Sequence, residues 1–416
     1  MRIALIIIVV IALIAGTLSV YVVATTPHES RGVRFPLPRE QRDLLAQVPS
    51  SADGFALIPT AAAVEGKLRS NPVTRGAVEQ WTASQRMPRP WMVGGADLVI
   101  WRNEGRTGYA LRLDPVRALI VRAYMAVASN ADARWNGRVM LINASDQEPM
   151  PATDLDSLLA MAPTLPAGDA LAVQLQGGRG AFPPIGRPAV TTARITAAGI
   201  TIASRSRRTA GEPVMAAAIE TRFPRGSLLT AAFNAPPRAV DEMNRLVGAK
   251  ASELLHDGGM IVLYDVDTSK LLPRPREVIV LPATAERRAA LRDFLDRVAP
   301  NAVQQALGFH IETADTGTQL LVAFDRDSIA RYRADTPDSP LLPATAWSMR
   351  IDPRRAVPLL QQIADNPGLR FIAPRLFRSA RDLDTWIEHL QNAEFIEAAD
   401  SVSADAEELR VVISTK

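Results

Sequence analysis

A long apolar run at the N-terminus constrains this chain more than any other feature. Residues 3–24 read IALIIIVVIALIAGTLSVYVVA and contain no charged side chain. As an α-helix rising about 1.5 Å per residue, the run would extend roughly 33 Å, enough for a bilayer core of about 30 Å. Signal peptides usually have a shorter apolar core of about 7–15 residues, although Val22 and Ala24 would suit a cleavage site. The run therefore predicts an uncleaved transmembrane signal-anchor at residues 1–24.

The charges around this run leave two orientations open. Arg2 precedes the run, and four arginines soon follow it: Arg31, Arg34, Arg39 and Arg42. A positive-inside count would keep the rest of the chain in the cytoplasm, but long domains are translocated largely regardless of charge. The short N-terminal end is typical of exported proteins. We therefore expect a single-pass protein of the inner membrane with its soluble part in the periplasm.

The amino-acid composition indicates the origin of the chain and excludes several kinds of site. Only four of the 47 basic residues are lysine, and such arginine-rich usage is typical of a GC-rich bacterial genome. The chain has no cysteine, which excludes disulfides, thiolate nucleophiles, cysteine-ligated metals and a lipoprotein anchor. The net charge of +3 is too small to indicate a nucleic-acid partner.

Beyond the run, the sequence alternates between strand and helix patterns. Residues 25–47 hold three prolines among charges and predict a stalk. Turn residues between apolar runs predict hairpins at 98–113, 190–204, 309–324 and 395–414. We expect an α+β fold of strand–helix and hairpin units in largely antiparallel sheets with packed helices. Restarts of the pattern near residues 48 and 220 indicate two similar lobes, at 48–212 and 213–416.

One phrase occurs twice, as LRLDPVRALI at 111–120 and MRIDPRRAVP at 349–358. Asp before Pro is typical of a helix start, because the carboxylate accepts from free backbone N–H groups and proline fits the first helical position. A looser copy at 235–240 keeps Pro, Arg and Ala but lacks Asp. We interpret all three as strand-to-helix joints, formed by Asp114, Pro115, Arg117, Pro236, Arg238, Asp352, Pro353 and Arg355.

The arginines of these joints have no evident reason in the sequence. Arg117 and Arg355 each follow a proline by two residues. A cation in the first turn of a helix opposes the helix dipole. We therefore expect another group to hold each arginine, with an acidic neighbour or solvent as the default and an anion site as the alternative.

A search for catalytic groups gives one candidate. MIVLYDVDTSKLL at 260–272 resembles the nucleophile motif of haloacid-dehalogenase-type phosphatases, which implies that one of Asp265 and Asp267 attacks phosphate, that the other acts as acid/base, and that a bound Mg²⁺ neutralises charge. The motif departs from that family at Ser269, where a Thr or Val is expected. Asp325 and Asp327 would be the further carboxylates. The four histidines form no pair at metal-ligand spacing.

The opening of the soluble part resembles a family of bacterial envelope proteins. The stretch VPSSADGFALIPTAAAVEGKL at 48–68, after a single N-terminal anchor, is similar to DUF3352-type proteins of unknown function. The resemblance implies an extracytoplasmic α+β protein and carries over no catalytic residue. We expect a membrane-anchored binding or scaffold protein with no catalysis and no cofactor, whose partner is an envelope protein or lipid. The alternatives are a metal-dependent hydrolase using Asp265 and Asp267, and a periplasmic carrier of an apolar ligand such as lipid.

Overall fold

The structure is a computed structural model, and it describes most of the chain after residue 24. The apolar run at 3–24, the looser joint with Pro236 and Arg238, and all four histidines lie outside the described residues. Within the part that is described, no helix is both long and apolar enough to cross a membrane. The described ranges are 25–27, 29–84, 93–103, 106–128, 133–143, 148, 150–175, 188–208, 222–234, 258–267, 274–298, 311–365 and 391–415.

The chain divides into two compact units. Unit 1 comprises Met1–Arg207 and unit 2 comprises Arg208–Lys416. The sequence placed this boundary five residues later, between 212 and 213, in a stretch that lies outside the described residues.

Unit 1 is an antiparallel sheet with helices inserted between its strands. Its strands follow the spatial order β4-β5-β3-β2-β1-β6-β7-β8. The elements are α1 (Arg39–Leu45), β1 (Gly54–Ile58), α2 (Ala61–Ser70), α3 (Arg75–Ser84), β2 (Asp97–Asn103), β3 (Arg106–Arg112), α4 (Pro115–Ala128), β4 (Ala133–Asn136), β5 (Val139–Ile142), α5 (Ala152–Leu159), β6 (Ala170–Gln174), β7 (Ala189–Thr196) and β8 (Gly199–Arg207).

Unit 2 has its own set of eight antiparallel sheet strands and a short two-stranded sheet. The eight strands have the order β13-β14-β12-β11-β10-β16-β17-β18, and β9 pairs with β15. The elements are β9 (Phe223–Pro224), β10 (Leu229–Phe233), β11 (Gly259–Asp267), β12 (Arg274–Pro282), α6 (Ala285–Val298), β13 (Glu312–Asp315), β14 (Gln319–Ala323), α7 (Ser328–Ala334), β15 (Pro337–Asp338), β16 (Trp347–Ile351), α8 (Pro353–Asp365), β17 (Ala393–Val402) and β18 (Ala406–Thr415).

The eight large-sheet strands of each unit have the same topology. The strands β1 to β8 correspond in order to β10, β11, β12, β13, β14, β16, β17 and β18. Helix α4 leaves the third strand of unit 1, and α6 leaves the matching strand of unit 2. The expectation of an α+β fold with largely antiparallel sheets is confirmed. Each predicted hairpin is present, because its turn residues join strands that pair directly.

The segment predicted as a stalk is part of the unit 1 core, so the prediction of an extended spacer at 25–47 is corrected here. Apolar side chains scattered among its charges are buried, and Leu44 and Leu45 have no exposed surface. The backbone of Val33 donates to the carbonyl of Gly168 at 2.8 Å. Residues 29–48 therefore fold with unit 1, and their buried apolar members are Val33, Leu37, Leu44, Leu45 and Val48.

Candidate functional site

The residues that immediately follow the apolar run are fixed to unit 1 by a buried arginine. Arg117 is the third residue of α4, and only 3% of its side chain is exposed. Its Nη2 donates to the hydroxyls of Thr25 and Thr26, both at 3.0 Å. Its Nη1 lies 3.7 Å from Oδ2 of Asp114. Arg117 thus ties the chain at residue 25 to the first turn of α4.

A glycine makes room for this guanidinium. Gly94 has a φ of +52°, in the left-handed region that favours glycine. A Cβ built on Gly94 would lie 1.9 Å from Nη1 of Arg117, so the guanidinium lies directly against the bare backbone. No larger residue fits at position 94 while Arg117 keeps this position.

A second arginine fixes the same segment a few residues later. Arg31 donates through Nη2 to Oδ1 of Asp97 and to the carbonyl of Gly95, both at 2.9 Å. Its Nε donates to the hydroxyl of Thr60 at 3.0 Å. Pro27 lies against Gly95, where an added Cβ would be 2.9 Å from the proline ring. We call residues 25–27 and 29–31 the junction segment, since Arg117 and Arg31 hold its two ends.

Asp97 is the centre of this second contact. Its side chain is 8% exposed and accepts from Arg31, from the backbone N–H of Thr60 at 3.1 Å and from Nε2 of Gln41 at 3.3 Å. Thr60 has φ 55° and ψ 59°, a left-handed conformation that is rare for a β-branched residue. Such strain costs on the order of 1–3 kcal/mol and persists only where surrounding contacts enforce it. The bonds to Asp97 and Arg31 are those contacts.

The two Asp-Pro joints are helix starts, and their arginines have partners. Oδ1 of Asp114 accepts from the backbone of Val116 and Arg117 at 3.0 Å, and Oδ1 of Asp352 accepts from Arg354 at 2.9 Å. Nε of Arg355 lies 3.3 Å from Oδ2 of Asp352, and its Nη1 donates to the carbonyl of Gly226. The acidic neighbour expected for each arginine is therefore the capping aspartate itself.

The repeated phrase does not mark equivalent places in the two units. LRLDPVRALI joins β3 to α4, whereas MRIDPRRAVP joins β16 to α8, and β16 corresponds to β6. The counterpart of Arg117 is Arg287, the third residue of α6, which is 5% exposed. Its backbone donates to Oγ1 of Thr284 at 3.2 Å, and its Nη2 donates to the carbonyl of Gly258 at 2.9 Å.

Sequence reasoning missed Arg287 because its helix starts with Thr284 rather than with Asp-Pro. A signal was present in LPATAERRAAL, where a capping residue is followed three positions later by arginine. Gly258 has a φ of +91° and directly precedes β11, much as Gly94 closely precedes β2. A buried arginine at the third helical position and a left-handed glycine therefore recur in both units.

The carboxylates of the hydrolase alternative belong to two different parts of the unit 2 sheet, one pair on β11 and the other after β14. Asp265 and Asp267 are on β11, opposite Arg276 and Arg274 of β12. Asp325 follows β14, and β12 lies between β11 and β14. The Oδ1 of Asp325 accepts from the backbone N–H groups of Asp327 and Ser328, both at 2.8 Å, at the start of α7. Among the described residues, no three His, Asp or Glu side chains are grouped to hold a metal ion.

Each unit has a small cleft with charged residues in its lining. The cleft of unit 1, about 270 Å³, lies beside the junction segment and includes Arg31, Arg34, Gln41 and Asp97. The cleft of unit 2 is about 200 Å³ and lies at the start of α8. In it, Arg225 and Arg350 lie 2.7 and 3.7 Å from the carboxylate of Asp338, and Arg350 lies over the ring of Phe395 at 4.4 Å.

No family model, curated protein or solved structure matches the chain. The geometry of the junction segment is that of an attachment. Its arginine, Arg31, is paired within the protein, and the cleft beside it is small. These contacts hold the chain after residue 24 in a fixed position on unit 1.

Proposed function

We propose that the chain is a single-pass protein of the bacterial inner membrane whose two units form a periplasmic binding or scaffold module. Residues 3–24 are the anchor, and the module acts through partner contacts rather than catalysis. The likeness of residues 48–68 to DUF3352-type envelope proteins agrees with this proposal, and in that stretch strand β1 runs into helix α2.

The observation that carries the proposal is the junction segment. A charge-free run long enough to span a bilayer ends at residue 24, and Thr25 and Thr26 are bound to Arg117 directly after it. An anchored module gains from this attachment, because the position of unit 1 relative to the membrane is then set without a flexible spacer.

Cysteine labelling in cells tests the proposal, since the chain has no cysteine of its own. Ala198 and Ala404 are exposed residues in the turns after β7 and β17, one in each unit. In cells with a permeabilised outer membrane, Ala198→Cys and Ala404→Cys should react with a membrane-impermeant maleimide, and the protein should stay in the membrane after a carbonate wash. Labelling only after the inner membrane is broken would refute the periplasmic location.

A variant that lacks residues 2–24 is the matched control for anchoring. This variant should appear in the soluble fraction, and both units should resist added protease as they do in the full chain. If it remained in the carbonate-washed membrane, residues 3–24 would not be the anchor.

A further inference from the structure

Helix α4 has apolar side chains on both of its faces. Ala118, Val121 and Met125 point into the unit 1 core and are at most 7% exposed. On the opposite side, Leu119 is 67% exposed, Ala123 is exposed, and Val116 and Ile120 are half-buried. These four residues follow at i, i+3, i+4 and i+7, so they form one continuous stripe. We call Val116, Leu119, Ile120 and Ala123 the outer face of α4.

The corresponding helix of unit 2 shows that this apolar stripe is not a demand of the fold. Helix α6 leaves the matching strand and buries its own arginine in the same way. At the four positions that match the outer face, α6 has Glu286, Ala289, Ala290 and Asp293, all exposed. Charged residues therefore stand at both ends of the matching stripe, and alanines stand where unit 1 has Leu119 and Ile120. A helix with one apolar face and one polar face is the usual pattern for the surface of a soluble domain, and the large exposed leucine of unit 1 departs from it.

The position of the outer face indicates what covers it. Arg117 lies on the first turn of the same helix and holds Thr25 and Thr26. The stripe therefore begins on the same helical turn as the arginine that binds the two residues following the apolar run at 3–24. An apolar surface next to the end of a membrane span is adjacent to lipid when the span is inserted.

Residues beside the outer face have the chemistry of a membrane interface. The guanidinium of Arg122 lies 4.4 Å from the ring centroid of Trp135 and donates to the carbonyl of Gly137 at 3.2 Å. Arg134 and Arg138, in the hairpin that Arg122 touches, are both exposed. Tryptophan concentrates at the level of lipid headgroups, and arginines near the surface are attracted to anionic lipids.

We propose that the outer face of α4 lies on the lipid bilayer beside the anchor, with Leu119 and Ala123 at the level of the acyl-chain boundary. This inference rests on the proposed function, because it needs residues 3–24 in the membrane. A stripe of four side chains is too small to bind a free protein to lipid. An anchor already in the bilayer raises the effective concentration of lipid at the stripe, so a small contact is then enough.

Fluorescence quenching from within the bilayer tests the proposal on the full chain. Single cysteines replace Ala12 in the apolar run, Ala123 on the outer face, and Ala198 in the turn after β7, each labelled with an environment-sensitive dye. The protein is reconstituted into vesicles of phosphatidylethanolamine and phosphatidylglycerol that contain a lipid with a nitroxide on its acyl chain. We expect most of the fluorescence to be lost at positions 12 and 123, and little at position 198.

The outcomes separate this inference from the proposed function. Quenching at position 12 without quenching at position 123 leaves the anchor intact and overturns the lipid contact. Absence of quenching at position 12 overturns the anchor, and the lipid contact with it. A dye at position 123 that is shielded from water but not quenched would mean that protein covers the stripe, either residues 3–24 or a second copy, and would also overturn the proposal.

A charge placed on the stripe provides a second check. Leu119→Glu changes an exposed side chain, so the fold should persist, but the carboxylate must leave the acyl region. We expect this variant to lose most of the quenching at position 123 and to keep it at position 12. Leu341→Glu, at a 60% exposed leucine of unit 2, is the matched control and should change neither. Unchanged quenching at position 123 in the Leu119 variant contradicts an apolar lipid contact.

Discussion

Arg117 and Arg287 occupy the third position of corresponding helices, and both side chains are buried. Each lies beside a glycine in the left-handed region, Gly94 for the first and Gly258 for the second. The recurrence of so costly an arrangement in both units indicates that the arginine is a structural element of the repeated fold. In unit 1, this element has acquired a second task, since it also binds the hydroxyls of Thr25 and Thr26.

Replacing the buried arginine should be far more damaging than replacing the exposed one of the same motif. Arg117→Gln removes the ion pair to Asp114 and the two hydrogen bonds that the guanidinium donates to Thr25 and Thr26. Because Asp114 is 33% exposed, the main loss is that of the buried hydrogen bonds, which typically costs about 1–3 kcal/mol. Arg355 has the same spacing to Asp352 but is 41% exposed, and exposed pairs contribute about 0.2–1 kcal/mol. Urea unfolding of the full chain in detergent, with hydrogen exchange to locate the change, measures both variants.

The location of the loss identifies its cause. Arg117→Gln should raise exchange in α4 and in the backbone around Thr25, with unit 2 unaffected. Equal effects of the Arg117 and Arg355 variants would contradict the distinction between a buried and an exposed arginine.

Glycine 94 should tolerate no side chain, because its φ is positive and Arg117 fills the space of a Cβ. Gly94→Ala is therefore expected to destabilise unit 1 by more than the roughly 1 kcal/mol that a left-handed alanine costs by itself. Gly137 is the control, since its φ is +59° and nothing lies within 4 Å of an added Cβ. Thermal unfolding of Gly94→Ala and Gly137→Ala separates the two effects, because the first adds a steric clash to the backbone strain and the second has the strain alone. An equal loss of melting temperature in both variants would exclude the clash.

The capping aspartates should each contribute about 1 kcal/mol to stability. Asp114→Asn retains an acceptor for the backbone N–H groups of Val116 and Arg117, whereas Asp114→Ala removes it. We expect alanine to cost more than asparagine at both Asp114 and Asp352. Denaturant midpoints of the four variants test this order, and a reversed order at either site would argue against a capping role there.

Glu397 should make the stability of unit 2 depend on pH. Its side chain on β17 is fully buried and accepts from the backbone of Leu342 at 2.7 Å. Burial raises the pKa of Glu397, against the opposing effects of its backbone hydrogen bonds and of Arg350. The folded state then binds more protons than the unfolded state above the ordinary glutamate pKa of about 4.3. The stability of unit 2 therefore falls as the pH rises from the ordinary glutamate pKa to the raised pKa of folded Glu397. Above the raised pKa, the stability stays at its lower level.

Melting temperatures of the wild type and of Glu397→Gln between about pH 4 and pH 8 measure this dependence. Glutamine keeps an acceptor for Leu342 and carries no charge. The variant should match the wild type at the acidic end and exceed it at neutral pH. Parallel curves for the two proteins would show that Glu397 does not titrate differently on folding.

Local chemistry explains which parts of the fold were predicted from sequence. The turn at Asp315–Gly317 and the caps at Asp114 and Asp352 depend on neighbours within a few residues, and each was identified correctly. The burial of Val33 depends on Gly168, and that of Arg117 on Gly94 and Thr25. These partners are distant in sequence, and their contacts leave no periodic pattern in it. The composition of residues 25–47 therefore predicted a stalk, although the chain packs into unit 1 there.

The buried arginines were less predictable than the fold, because their equivalence depends on strand order and not on neighbouring residues. The Asp-Pro phrase drew attention to Arg355, which lies at a different place in the topology from Arg117. The real counterpart, Arg287, has no such phrase before it. Equivalence appeared only when the strand orders of the two units were compared.

A distance measurement across the junction tests the central claim most directly. Spin labels at Glu29 and Ala123, both exposed, report whether the chain after the anchor is fixed to unit 1 in a bilayer. We predict one narrow distance distribution for the wild type by pulsed electron resonance, and a broad one when Arg31 and Arg117 are both replaced by glutamine. A broad distribution in the wild type would mean that residues 25–31 are a flexible spacer, and it would contradict the account.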